Sequence, residues 1–403
     1  MVRRVAVFLG TRPEAIKMAP VIRALEAADD FDPIVISTGQ HREMLEQVVE
    51  LFELPVHHEL DVMVPDQTLA ELSARLLTRI DALFEVVRPD IALVQGDTTT
   101  VLMAALACFY NKVPVGHVEA GLRTGNIWSP FPEEVNRKLV TPIVDLHFPP
   151  TSWSRDHLLD EGVDEERITV TGNTVIDALH IEVARQRLPE TAQQIDAELV
   201  PHLGTEWRTH PYVLVTGHRR ENHGRGFEQI CDALSELANR FPDHRFIYPV
   251  HLNPRVQGPV HEKLGHHDNI FLLPPQPYRP FVALMQHARM VLTDSGGVQE
   301  EAPGLGKPVL VMRDTTERPE GVTAGTVRLV GACETGIVEG VTSLLSDPIE
   351  YQRMASAHNP YGDGLASGRI IDALRSWFAE QDQKAQDLEL ASAAMSPEAI
   401  SAP

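Results

Sequence analysis

Six short apolar runs in this chain each stop at a cluster of glycine, hydroxyl or charged residues, and this placement constrains the fold more than any other feature. Residues 5–9 stop at Gly10-Thr11-Arg12-Pro13-Glu14, 91–94 at Gln95-Gly96-Asp97, and 113–118 at Glu119-Ala120-Gly121-Leu122-Arg123. In the second half, 213–215 meets Thr216-Gly217-His218-Arg219-Arg220-Glu221-Asn222, 246–250 meets His251, and 291–292 meets Thr293-Asp294-Ser295-Gly296-Gly297. Unbroken apolar runs separated by helical stretches mark a parallel sheet covered on both faces. In such sheets ligands sit at the carboxyl ends of the strands. The pattern predicts an α/β protein with chemistry on one edge of two successive sheets, a cleft enzyme rather than a scaffold.

Strands are expected at 5–9, 34–37, 91–94, 113–118, 144–148 and 168–170, with helices near 17–28, 41–51, 66–87 and 99–110 and one opened by Pro132. Alternation resumes at 213–215, 246–250, 270–272, 290–292 and 308–312. A chain of 403 residues, 43% of them hydrophobic, suits two such βα domains better than one. The predicted division is 1–187 for the first domain, 188–211 for a polar, proline-containing linker and 212–366 for the second. A C-terminal helix at 367–382 and a flexible tail at 383–403 follow.

Composition narrows the function. A net charge of −22 repels polyanions and argues against general nucleic-acid binding, while leaving room for one anionic small molecule held by local cations. No apolar stretch approaches the ~20 residues of a membrane helix, and the amino terminus runs straight into a strand, so neither a membrane segment nor a signal peptide is expected. Three scattered cysteines without C-x-x-C spacing fit a reducing, cytoplasmic setting.

Neither G-x-G-x-x-G nor G-x-x-x-x-G-K-[ST] occurs, so a conventionally bound dinucleotide and a P-loop are both unexpected. Asp30-Phe31-Asp32 reads as a solvated turn, and His251, His261, His266 and His267 lack the paired carboxylate or cysteine of a metal site. No metal is expected. Ser295-Gly296-Gly297, between a strand and a helix, reads as a phosphate site. There the helix dipole and exposed amides favour an anion, and the glycines admit it to the backbone. Glu301, a turn further on, could accept hydrogen bonds from ribose. Arg12 and Lys17 supply cations at the end of the first strand, with Arg313 and Arg318 as partners from the other half. Asp97 and Glu119 follow buried strands, while Glu133 and Glu134 open a helix. Carboxylates crowded at one site separate into acid and base. His218 is a candidate for proton transfer from the second domain.

These segments, together with Thr171-Gly172-Asn173-Thr174-Val175-Ile176-Asp177, Tyr248-Pro249-Val250-His251, 313–320 and Asn359-Pro360-Tyr361-Gly362-Asp363-Gly364, resemble the non-hydrolysing UDP-N-acetylglucosamine 2-epimerases. The matches run in family order over nearly the whole chain and stop short of the tail. The resemblance implies a GT-B fold, two Rossmann-like domains with an interdomain active-site cleft, in which the C-terminal helix crosses back onto the first domain. It also implies a bacterial cytoplasmic homodimer that interconverts UDP-N-acetylglucosamine and UDP-N-acetylmannosamine for surface polysaccharide, with no cofactor and no metal.

By the same resemblance, Asp97, Glu119, Glu133 and His218 serve catalysis. Arg12, Lys17, Gln276, Phe281, Ser295, Gly296, Gly297, Glu301 and Arg318 hold the UDP-sugar, with Gln276 and Phe281 at the uracil. Gln40, Glu134, Arg219 and His251 match positions that, in some bacterial members, bind a second, activating UDP-N-acetylglucosamine. The chain departs from those members at Glu43, where some carry Gln, and from the family's usual residues at Pro149 and Gly304. Two other activities stay open on the sequence: a GT-B glycosyltransferase using a UDP-sugar, and a hydrolysing epimerase releasing N-acetylmannosamine and UDP. A silent nucleotide-sugar sensor would be expected to lose one of Asp97, Glu119, Glu133 and His218, and all four are present.

Overall fold

A computed structural model describes residues 2–39, 42–217, 219, 222 and 224–394, with the side chains of 42–44 and 392–394 left aside. The predicted site residues Gln40 and His218 lie outside the described residues. Strands β1 (Arg3–Leu9), β2 (Phe31–Ser37), β3 (His58–Glu59), β4 (Ile91–Gln95), β5 (Val115–Val118) and β6 (Leu146–Phe148) form one sheet. Strands β7 (Tyr212–Thr216), β8 (Arg245–Pro249), β9 (Ile270–Leu273), β10 (Met290–Thr293), β11 (Val309–Val311) and β12 (Val327–Leu329) form another. Every pairing is parallel.

The first sheet runs β3-β2-β1-β4-β5-β6 and the second β12-β11-β10-β7-β8-β9, the same doubly wound order in each half. All residues of β4 and β7 are buried, which explains why these strands appear in the sequence as unbroken apolar runs. The order reverses between β1 and β4 and again between β7 and β10. Chains leaving adjacent strands there turn to opposite faces and open a crevice at the carboxyl ends. Gly10-Thr11, Gly96-Asp97-Thr98, Gly217 and Asp294-Ser295 all leave from these two switch points.

One core cluster joins the two halves, running from Val5, Val7 and Leu9 through Val175 and Leu179 to Leu214, Val291 and Val311. The helix Ala366–Ala394 returns to the first domain and buries Ile370, Ile371 and Leu374 there. Its start is held by Asp177, which accepts from Ser367 N at 2.8 Å and Ser367 Oγ at 2.6 Å. Further along, Arg375 grips Asp30 through Nε at 2.8 Å and Nη2 at 3.0 Å. The Asp30-Phe31-Asp32 segment thus anchors this helix.

Several boundaries differ from the sequence reading. The 188–211 segment, expected as a linker, contains the helix Pro189–Leu203. Its buried Thr191, Ile195, Leu199 and Leu203 recur every fourth residue, a helical stripe masked by Pro189 and Pro201 and by the polar residues between. Pro189 opens that helix, where its missing N–H costs nothing. The C-terminal helix continues to Ala394 rather than fraying at 383, although 382–391 are exposed. Alanine, glutamate, glutamine and leucine are strong helix formers, so propensity extends it beyond the core. Residues 395–403 lie outside the described residues. The expected strand at 168–170 is reduced to one bridge, Ile168 to His147, while the very short β3 and β12 were not foreseen.

Candidate active site

The helix Arg12–Glu26 starts immediately after β1, and its buried Glu14 folds back to accept Gly10 N at 2.6 Å and Thr11 N at 2.9 Å. The other Glu14 oxygen accepts Thr98 Oγ1 at 2.5 Å, tying the β1 loop to the β4 loop. Burial, opposed by these three hydrogen bonds, raises Glu14 to about 7. Arg12 and Lys17 are thereby fixed on the first turns of a helix aimed at the crevice. Opposite them, the helix Gly296–Gly304 begins after β10, and Ser295 at its N-cap makes no side-chain cap hydrogen bond. Its first-turn amides therefore point into the crevice without that cap, at the positive end of the helix dipole.

A cavity of about 500 Å³ lies between these two starts. All nine residues assigned from sequence to the UDP-sugar line it: Arg12, Lys17, Gln276, Phe281, Ser295, Gly296, Gly297, Glu301 and Arg318. Arg219 and His251 line it as well. His251 Nδ1 accepts from Asn253 N at 3.1 Å, which leaves the neutral ring its proton on Nε2. Glu301 Oε1 accepts from buried Tyr278 Oη at 2.9 Å. Burial first, then the neighbouring Glu300, lifts Glu301 to about 7 against the pull of Tyr278.

The inner end of the cavity passes into a buried charge cluster. Lys17 Nζ lies 2.6 and 2.7 Å from the two Glu119 oxygens and 3.6 Å from Glu300 Oε2. Arg318 Nε bonds Glu300 at 2.5 Å, Gln95 donates to Glu119, and Asn173 Nδ2 reaches both Glu119 and Glu300 at 3.2 Å. Glu119 has a φ of +63°, a left-handed conformation that non-glycine residues seldom adopt and that collects at functional sites. Burial and then Glu300 push Glu119 above the usual carboxylate range in spite of Lys17. Burial acts on Glu300 in the same sense, but Arg318 and Lys17 outweigh it and keep Glu300 low. Two buried carboxylates thus share Lys17 and Asn173, and their surroundings push them in opposite directions.

Asp97 lies in the loop between β4 and the helix Thr99–Tyr110. Its Oδ2 accepts from Arg137 Nη2 at 2.6 Å and Nε at 2.9 Å. Glu133, at the start of the helix Glu133–Val140, has a buried Oε2 with no hydrogen-bond partner among the described residues, an arrangement natural proteins rarely leave without a use. Glu134, predicted beside Arg219 and His251, is instead wholly buried and lines a different cavity, of about 720 Å³, with Arg123 and Arg313. Helical geometry explains this separation, since consecutive residues point about 100° apart and only one of Glu133 and Glu134 can face the same way. Arg313 likewise turns from the first cavity and pairs with Glu317 at 3.0 Å.

Asn173, Glu300 and Arg137 were not singled out in the sequence. Glu300 was hidden by its neighbour Glu301, although the same 100° offset allows one to face the ribose side and the other the carboxylate cluster. Among the described residues, no group of three or more His, Cys, Asp or Glu could hold a metal ion, and no helix is long and apolar enough to cross a membrane.

The family model for UDP-N-acetylglucosamine 2-epimerase matches residues 23–375. The UDP-N-acetylglucosamine 2-epimerase of Escherichia coli K12 is 54% identical over 373 residues, 93% of this chain and 98% of the relative. That of Salmonella typhimurium is 53% identical over 374 residues, 93% of this chain and 99% of the relative. A solved structure of the UDP-GlcNAc 2-epimerase of Neisseria meningitidis bound to UDP-GlcNAc aligns with a TM-score of 0.86 at 46% identity, covering 93% of this chain and all of that one.

Proposed function

Because the chain belongs to the UDP-N-acetylglucosamine 2-epimerase family, we propose that its cleft converts UDP-N-acetylglucosamine to UDP-N-acetylmannosamine by reversible loss and return of UDP. The observation that carries the reading is the junction of two environments. A cationic, amide-lined cavity suited to a diphosphate meets, at Lys17, a buried pair of carboxylates, Glu119 and Glu300.

The C2 proton of the sugar is too weakly acidic to be removed alone. A carboxylate takes it while the C1–O bond breaks, so the C2–H electron pair becomes the C1–C2 double bond and UDP departs with the C1–O pair. The products are bound UDP and 2-acetamidoglucal. In the return step a UDP phosphate oxygen re-forms the bond to C1, and a proton reaches C2 from the opposite face.

Arg12, Lys17, Ser295, Gly296, Gly297 and Arg318 retain the diphosphate between the two steps, since a leaving group that escapes cannot return. Glu301 accepts from ribose, and Gln276 and Phe281 hold uracil. Asp97, Glu119 and Glu133 supply the acid and base on the two faces, and His218 acts beside the diphosphate. Arg219, His251 and Gln40 remain proposed for a second nucleotide-sugar at the cleft.

The protein works as a cytoplasmic homodimer feeding polysaccharide synthesis. Exposed Phe109, Tyr110 and Leu139, on two helices packed together in the first domain, support a dimer face there. The test separates binding from chemistry. E119Q and E133Q should each bind UDP within threefold of the parent enzyme while turnover falls by a hundredfold or more. Unchanged turnover in both variants would remove the carboxylate mechanism.

A further inference from the structure

The helix Glu133–Val140 does more than present Glu133. Its next residue, Glu134, is wholly buried and accepts Thr124 N at 3.1 Å through Oε2 and Gly125 N at 3.0 Å through Oε1. Arg137, one turn on, donates Nη1 to Glu134 Oε2 at 3.0 Å. Its remaining edge, Nε and Nη2, closes on a single Asp97 oxygen, Oδ2. Between them, Asn136 Nδ2 reaches the Asp97 backbone carbonyl at 2.8 Å. One helix therefore holds the main chain of Asp97, one oxygen of its carboxylate and the base of the 124–125 loop.

Asp97 needs such support. It follows Gly96, which has a φ of +84°, and precedes Thr98, the N-cap of the helix Thr99–Tyr110, so no regular element fixes its side chain. A guanidinium suits the task because its donors are set in a rigid plane that an ammonium cannot reproduce. The Arg137 side chain is 10% exposed and that of Asp97 24%, so the pair is shielded on one side and open on the other. Burial works against the Arg137 charge, but Asp97 and Glu134 outweigh it and strengthen it.

We infer that Arg137, braced by Glu134, is the positioning residue of Asp97: it holds Oδ2 so that Oδ1 meets the sugar in one orientation. This rests on the catalytic reading of Asp97 above. A carboxylate displaced by about 1 Å from the reacting geometry can lose a hundredfold in rate. In the proposed function the nucleotide lies in the cavity of about 500 Å³, whose lining does not include Arg137, so its binding should not depend on Arg137.

The experiment compares R137Q, R137K, D97N and D97N/R137Q by steady-state turnover of UDP-N-acetylglucosamine and by calorimetric binding of UDP. R137Q should lower kcat about a hundredfold with KM and the UDP Kd within threefold, and R137K should recover part of the loss. In D97N the second change should cost almost nothing further. An R137Q enzyme with kcat within threefold of the parent, a loss expressed in KM or the UDP Kd, or multiplicative losses in the double variant would each overturn the inference. Should R137Q prove unfolded by circular dichroism, R137K carries the test. Full parental kcat in R137K overturns the inference, and a tenfold loss with intact UDP binding upholds it. An inactive D97N beside a fully active R137Q removes the inference alone. A fully active D97N removes the role of Asp97 first.

Discussion

Replacing Lys17 with methionine removes the cation standing between two buried carboxylates. Its ammonium lies 2.6 Å from Glu119 and 3.6 Å from Glu300, and the three side chains are 12%, 5% and 2% exposed. At an effective dielectric constant of about 20, a unit-charge pair is worth about 6 kcal/mol at the first distance and about 5 at the second. Desolvation offsets much of this, and breaking one partner of a buried pair costs about 3–5 kcal/mol in measured cases. K17M should therefore lose about 3–5 kcal/mol of unfolding free energy in urea followed by circular dichroism.

The cycle with E119Q isolates the cause. K17M/E119Q should regain at least about 2 kcal/mol relative to additive losses, because the second change removes the stranded charge. The pH dependence has a defined sign. Glu119 is raised in the folded protein, and without Lys17 it rises further. A carboxylate raised by folding favours the folded state below its unfolded pKa, and this support is lost as pH rises through the folded pKa. K17M should thus be less destabilised at pH 6 than at pH 8. A loss under about 1 kcal/mol, or losses additive within about 0.5, would refute the buried-cluster reasoning.

Glu14, raised from 4.5 to about 7, should draw stability down as pH climbs across that interval, by up to about 3 kcal/mol at 1.36 kcal/mol per unit; E14Q should flatten this slope in pH-dependent melts. A Cβ at Gly296 would stand 2.7 Å from Arg318 Nη1, so G296A should push that flexible side chain aside and weaken UDP binding about tenfold by calorimetry while the fold survives. At Gly121 a Cβ would fall 2.1 Å from the Ser154 carbonyl oxygen in a backbone with φ of +88°, so G121A should cost more than about 3 kcal/mol or prevent soluble expression.

The strand-end clusters were legible because a doubly wound sheet forces its chemistry into the loops that follow buried strands. Arg12, Lys17, Ser295, Gly296, Gly297, Glu301 and Arg318 accordingly converge on one cavity, where Gln276 and Phe281, assigned by the resemblance, join them. What the sequence hid is governed by direction and by distance along the chain. Glu300 and Glu301 read as one acidic pair, yet helical rotation sends Glu301 to Tyr278 and Glu300 to Lys17 and Arg318. Arg137 acts on a residue forty positions earlier through a fork of hydrogen bonds that no local spacing encodes. The helix at Pro189–Leu203 was obscured because two prolines outweighed a four-residue apolar stripe. His218 and Gln40 lie outside the described residues: the role of His218 rests on its place after a buried strand and on the resemblance, that of Gln40 on the resemblance alone.

The central claim is that proton exchange at C2 is coupled to departure and return of UDP within one closed site. It is tested most directly by proton and phosphorus NMR of the purified protein with UDP-N-acetylglucosamine in D2O. The account predicts UDP-N-acetylmannosamine carrying deuterium at C2, deuterium washing into the recovered substrate, and a trace of 2-acetamidoglucal. Free N-acetylmannosamine accumulating with UDP, or an epimerised product that retains its original C2 proton, would contradict it.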